Sequence, residues 1–210
     1  LQGFIGWYMV KSGLVDRVDV SHFRLSVHLL LAFIILSLIY WNFLILKTKL
    51  VKNEKINSFI PFIFIILIFC QIGIGAFVSG MDAGKIYNSW PLMGSSYFPD
   101  DSIIFDLFKL SAFNDPSLVQ FMHRNLAYFI ALFYLYLLFK VFKNKLQYLY
   151  KSIIILGFLI TIQIFLGILT LIYGAEIIIA SMHQISSIFL VCSCIYFFYL
   201  NTNSNLQPLN

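Results

Sequence analysis

Three histidines and their neighbours are the residues in this sequence best suited to chemistry. His28, His123 and His183 each stand several residues into a long apolar run, and Arg24 and Arg124 lie close to the first two. Ionisable side chains are expensive in such a setting and default to a functional role. A single histidine there is explained just as well by a neutral imidazole bonded to a backbone carbonyl between helices. A pair at matching depth on two helices of one bundle, as His123 and His183 would be, points to a shared ligand. Two imidazoles with no carboxylate or thiolate beside them make a poor cage for zinc, which takes four ligands. They suit the two axial positions of a haem iron, whose other four positions the porphyrin fills. Arg124, directly after His123, is placed to meet a porphyrin propionate through a charge-assisted bond. Arg24, one turn before His28, could do the same in a second bundle. The plainer alternative for both arginines is reaching for lipid headgroups. His22, at the edge of its run, is left without a role.

The elements that position these residues are written in the composition. The chain is 60% hydrophobic and 11% charged, with a mean hydropathy of +0.89; soluble domains are nearer a quarter charged. Five stretches, at about 22–46, 57–79, 118–142, 152–173 and 177–200, reach the roughly 20 residues a helix needs to cross a bilayer. Membrane lipid is therefore the first partner implied. The opening "LQGFIGWYMV" has no starting Met and no preceding basic residue, so it does not read as a signal peptide. It reads as the tail of a helix, and the sequence as an amino-terminally truncated piece of a longer protein.

The net charge of +5 matters by its distribution. "LKTKLVKNEK" (46–55) and "FKVFKNKLQYLYK" (139–151) carry four lysines each, whereas 80–116 holds Asp82, Asp100, Asp101, Asp106 and Asp115 against Lys85 and Lys109. Lysine-rich loops stay on the cytoplasmic side. The spans at 22–46, 118–142 and 177–200 then run inward and the other two outward, with the histidines toward the outer face. Topology accounts for the lysines, and no nucleic-acid partner is implied. Cys70, Cys192 and Cys194 all fall within spans and read as inert thiols.

A repeat organises the chain. "QGFIG" (2–6), "QIGIG" (71–75) and "QIFLG" (163–167) share a Gln-x-x-aliphatic-Gly pattern near the outer end of an outward-running helix. Each is followed, across an outer loop, by an inward helix bearing His28, His123 or His183. Small residues at such positions let helix backbones approach closely. The fold class expected is an all-α polytopic membrane protein of duplicated four-helix bundles, the second complete and the first partial. The division follows: 1–56 the remainder of a first half, 57–200 a full second half, 201–210 a polar tail. The long loop 80–116 reads as a segment on the membrane surface, anchored by Trp90; Asp82 within it is assigned no chemistry.

The stretches "GWYMVKSGL", "SHFRLSVHL", "GMDAGKIYNSWPLM", "VQFMHRNLAY" and "SMHQISSIFL" resemble the haem A synthase family of cytochrome oxidase assembly enzymes, in its alphaproteobacterial and mitochondrial form. The resemblance covers nearly the whole chain. It implies eight membrane helices in two halves and oxidation of the C8 methyl of haem O to the formyl of haem A by successive hydroxylations. It places a haem b in the second half, with His123 and His183 at its ligand positions, and the substrate haem in the first half, with His28 at one of its two histidines. The other histidine and an acidic residue implicated in the chemistry match nothing in this chain, which is expected to be inactive alone. The resemblance also implies a haem O synthase as supplier, an electron donor of unknown identity and a bacterial inner-membrane location; the chain could further associate as a homo-oligomer. A non-catalytic b-type cytochrome that only transfers electrons would share the same histidines and bundle.

Overall fold

A computed structural model describes residues 1–13, 20–47 and 55–202. Among these residues six α-helices follow one another: α1 (Gln2–Gly13), α2 (His22–Lys47), α3 (Phe59–Gly80), α4 (Pro116–Lys143), α5 (Gln147–Ile172) and α6 (Ile177–Thr202). Helices α2 to α6 are each long and apolar enough to cross a membrane. At about 1.5 Å per residue, even the 22 residues of α3 span the roughly 30 Å of bilayer hydrocarbon. A helix is also the one open segment that satisfies its own backbone polar groups in lipid. Large apolar side chains such as Leu38, Ile39, Leu132, Phe158 and Phe165 lie exposed on the helix exteriors, where lipid is their solvent. The chain is an all-α, multi-pass membrane protein.

Helices α3, α4, α5 and α6 form a ring in which each packs on the next and α6 returns to α3. Helix α2 lies outside that ring against α3 and α6, and α1 packs on α2. Small residues set the close crossings. Ser26 of α2 donates to the Gly73 carbonyl at 3.0 Å, and a Cβ on Gly80 would stand 2.9 Å from the Cβ of His22.

Helix ends are fixed by local chemistry. Asp115 accepts hydrogen bonds from the amides of Ser117 and Leu118, and Pro116 follows it at the first helical position, where its missing N–H costs nothing. At the α5–α6 turn, Gly174 and Ala175 take positive φ, and Glu176 Oε2 accepts from the amides of Ile178 and Ile179. Helix α5 begins five residues before the expected 152. Hydropathy penalises Gln147 and Lys151, but Leu146 and Leu149 are buried, so packing extends the helix into the lysine-rich segment. Lys49, Lys52 and the tail 203–210 lie outside the described residues.

At the lysine end, α6 holds two other segments. Asn201, fully buried, accepts from the Ile56 amide at 3.0 Å and donates to the Ile56 carbonyl at 2.9 Å. Two residues earlier, the Tyr199 hydroxyl donates to the Leu44 carbonyl at 3.1 Å.

At the histidine end, the α3–α4 connection carries three short 3-10 turns, Ala83–Lys85, Ile104–Phe108 and Leu110–Asn114. Two adjacent carboxylates organise it. Asp100 accepts from the Ser95 amide at 2.8 Å and from the hydroxyls of Ser95 and Ser96, and these bonds, the Ser95 amide foremost, hold its carboxyl below the usual range. Asp101 accepts from Ser117 at 2.7 Å and Tyr87 at 2.9 Å. Partial burial raises its pKa, but the bonds from Ser117, Tyr87 and Ser102 outweigh it and the net direction is downward. Burial, then the bond to Asp101, raises that of the Tyr87 phenol.

Two outcomes follow from these contacts. Replacing Asn201 by Ala leaves a buried amide and carbonyl unpaired, and should cost about 1–3 kcal/mol, read as an earlier unfolding transition in a denaturing-detergent titration. For the loop the sign is that of depressed carboxylates: the stabilisation is complete above the ordinary carboxyl pKa of about 3.9 and is lost as pH falls through the lower folded values. Exchange protection of the Ser95 amide should therefore hold from neutrality down to about pH 4, fall below it, and be low throughout in Asp100→Ala.

Candidate histidine sites

Each histidine meets the Gln and Gly of the helix before it, and the three contacts share one design. An ideal Cβ on Gly75 would stand 3.1 Å from Cε1 of His123; on Gly167, 3.2 Å from Cε1 of His183; on Gly6, 3.0 Å from Cε1 of His28. The imidazole edge occupies the volume a side chain would fill, so glycine is required here for close approach rather than for backbone freedom.

The glutamine one turn earlier reaches the same histidine. Gln71 Nε2 donates to the His123 carbonyl at 3.0 Å and lies 3.2 Å from His123 Nε2. Gln2 repeats the arrangement on His28, at 3.1 and 3.3 Å. A carboxamide nitrogen only donates, so the ring Nε2 it faces accepts, and the ring proton falls to Nδ1. In this arrangement the Nε2 lone pair of each of these two rings is taken up by its glutamine.

The third unit is wired differently. Ser186 Oγ donates to Gln163 Oε1 at 2.6 Å and to the His183 carbonyl at 3.0 Å. The single proton of a hydroxyl one turn after the histidine is thus shared between Gln163 and the His183 carbonyl. Leu126 and Leu31 occupy the corresponding places after His123 and His28. Sequence reasoning found the Gln and Gly positions as a repeat but assigned the glutamines nothing and passed over Ser186. The signal that could have found the glutamines was their fixed offset of four residues from a glycine that faces a histidine.

His123 on α4 and His183 on α6 come from opposite members of the helix ring. His28 sits apart, on α2 with α1. Nδ1 of His28 and Oε1 of Gln2 and Gln71 are buried without a hydrogen-bond partner, whereas the buried rings of His123 and His183 have the Gln71 and Gln163 backbone beside them. Orphaned buried polar atoms of this kind are costly and mark a site shaped for something besides packing. Among the described residues no three His, Cys, Asp or Glu side chains cluster as a cation cage would require.

Arg124 is committed to the loop. Its Nη1 donates to the carbonyls of Ser89 (2.9 Å) and Leu92 (3.2 Å), and its Nη2 to that of Tyr87 (3.0 Å). Gln120, one turn earlier, donates to the same Tyr87 carbonyl at 3.0 Å. Trp90 donates from its indole to the Tyr128 hydroxyl at 2.8 Å, so this expected surface anchor is also stitched to α4. Tyr97 donates to Asn125 at 2.6 Å, and Asn88 to the Leu171 carbonyl of α5 at 2.8 Å. The segment 87–97 is therefore seated on the residues flanking His123. Arg24 stacks over the Tyr8 ring at 5.3 Å. His22 packs against Phe23 and Phe77, and Asp82 pairs with Lys85 at 2.8 Å on the exposed surface. The three cysteines are free thiols.

Comparison with known proteins bears on what these sites serve. Residues 1–195 match the family described as cytochrome oxidase assembly protein. The chain is 52% identical over 206 residues to a protein of Pelagibacter ubique (strain HTCC1062) named heme A synthase, with 98% of this chain and 60% of the relative aligned. It is 42% identical over 216 residues to the heme A synthase of Rickettsia bellii (strain OSU 85-389), covering 97% of this chain and 62% of that one. The heme A synthase of Rickettsia prowazekii (strain Madrid E) is 39% identical over 206 residues, covering 97% and 61%. The chain thus spans about three fifths of the length of these relatives. No solved structure matches it. On the family match and these identities, the chain belongs to the cytochrome oxidase assembly protein family.

Proposed function

We propose that this chain carries the cofactor half, and part of the substrate half, of a haem A synthase, an oxidoreductase that converts haem O to haem A. The observation that carries the reading is the pair His123 and His183, on opposite helices of the ring, each with its imidazole edge set against a glycine. The donor set suits iron in a porphyrin: two imidazoles with no cluster of three His, Cys, Asp or Glu side chains among the described residues. His123 and His183 would hold a haem b, which supplies one-electron chemistry when bound. His28, with Gln2 and Gly6, would serve the substrate haem.

The chain's own residues do the positioning. Gln71 Nε2 holds the His123 ring edge and backbone in place through the ring Nε2 and the carbonyl. Gly75 and Gly167 admit the rings between helices. Arg124 ties the loop down beside His123, and its Nε, buried and unpartnered, is the donor that remains for a propionate. Arg24, stacked over the Tyr8 ring, would meet a propionate in the first half. The division is the one given by the repeat, with 1–56 belonging to the substrate half, 57–200 to the haem b half and 201–210 forming the tail. We place the protein in the bacterial inner membrane with its histidines toward the periplasm, on the asymmetry of its lysines. Its partners are membrane lipid, a haem O synthase as supplier and an electron donor, with association into a homo-oligomer compatible with the same fold.

The reduced-minus-oxidised spectrum and pyridine haemochrome of the purified chain should show a b-type haem that is absent from His123→Ala and His183→Ala. A colourless wild-type chain that is folded would overturn the ligand assignment. Gly75→Val and Gly167→Val should each weaken haem retention by about tenfold to a hundredfold, since overpacking costs about 1–3 kcal/mol. In a full-length protein, His28→Ala should abolish haem A formation while leaving the b-type spectrum in place; continued haem A production would refute the role given to His28.

A further inference from the structure

The α3–α4 connection has two unlike halves. Residues 87–97 are stitched to α4 by polar bonds, but the stretch that follows turns five large apolar side chains outward within eight residues. Ile103, Ile104, Phe105, Phe108 and Leu110 are between 57% and 87% exposed. The exposure does not come from a loose segment. Asp101 fixes it at one end through Ser117 and Tyr87. At the other end Ala112 is buried and Asp115 caps α4. A built segment that shows this much apolar surface marks an interaction site.

Three observations decide what covers it. First, the 22 residues of α3 match the thickness of the hydrocarbon, so Gly80 ends near the bilayer boundary. The chain leaves the bilayer there and returns through α4 on the same, histidine side, so the segment between them is within reach of the headgroups. Second, the patch is continuous with the lipid-facing helix surface. Phe113 packs on Phe77 at 5.9 Å, and Phe77 on Phe23 at 5.1 Å, and Phe23 lies exposed on the first turn of α2. Third, the two charged residues of the patch cancel: Lys109 Nζ lies 2.6 Å from Asp106 Oδ1. That removes the charge that would otherwise keep the segment out of the boundary and leaves no net charge for a charged protein surface to recognise.

We propose that residues 103–110 are a membrane foot, inserted among the acyl chains of the leaflet at the histidine end. The occupant of the patch is lipid. It holds the connection down at a point remote from Arg124, so the loop is fixed by polar bonds on one side of His123 and by the bilayer on the other. Because Asp106 and Lys109 neutralise each other, insertion depends on buried apolar area and not on anionic headgroups.

The test is to place the chain in nanodiscs and introduce Phe108→Trp or Leu110→Trp. Quenching of the added emission is then compared between lipids brominated near the glycerol and lipids brominated near the chain ends. The foot predicts that most of the added emission is quenched, more by the shallow bromines than the deep ones, and equally in zwitterionic and anionic lipid or at high salt. Added emission that is unquenched and red-shifted would put the segment in water. Unquenched and blue-shifted emission would put it against protein, either a second copy or another segment. Either result overturns the proposal. Two separate sites guard against one variant disturbing the loop, and quenching is taken relative to the same preparation in unbrominated lipid, so that any bound haem dims all samples alike and the outcome is separate from the haem assignment.

Discussion

The close approach of an imidazole edge to a helix backbone is the contact on which the rest of this molecule depends. Lipid removes the usual incentive for helices to associate, because a leucine facing an acyl chain loses nothing. What remains is close packing and hydrogen bonds that have no water to compete for them. The Gln–Gly–His unit combines both within one helical turn. The glycine removes a side chain and admits the ring, and the glutamine closes over the ring from above. Helices α3 and α4, and α1 and α2, are thereby registered against each other at the depth of their histidines.

Register at one depth would still let the helices splay, and the two ends of the bundle prevent this in different ways. At the histidine end the guanidinium of Arg124 gathers three carbonyls of the connection, so the cover over His123 is built from backbone and not from a side-chain lid. At the lysine end Tyr199 and Asn201 bring carbonyls and an amide of two other segments under α6. Both devices answer the same demand: backbone groups beyond the helices still need partners where little water reaches.

How far this could be read in advance differed by level. The five spans follow from hydropathy and appear within a few residues, except at α5, where Leu146 and Leu149 are buried by tertiary packing that hydropathy does not register. The histidines could be singled out because an ionisable group in an apolar run is conspicuous, and the glycines because they recur. The glutamines and Ser186 were not legible as site residues, since an amide or hydroxyl near a helix end has many uses, and only the fold shows which ring or carbonyl it meets. Arg124 was legible only in part. Its position beside a histidine suggested a bond to an acid, and the structure gives the guanidinium three neutral carbonyls supplied by residues more than thirty positions earlier.

The Asn201–Ile56 pair has a meaning beyond stability. A side-chain amide there holds the chain just before it enters α3 to the chain as it leaves α6, so the four-helix unit opens and closes at a single point on one face. Ends that meet make a unit portable in the genetic sense. Such a segment can be copied head to tail with a linker of only a few residues, and each copy arrives with its entrance and exit already joined.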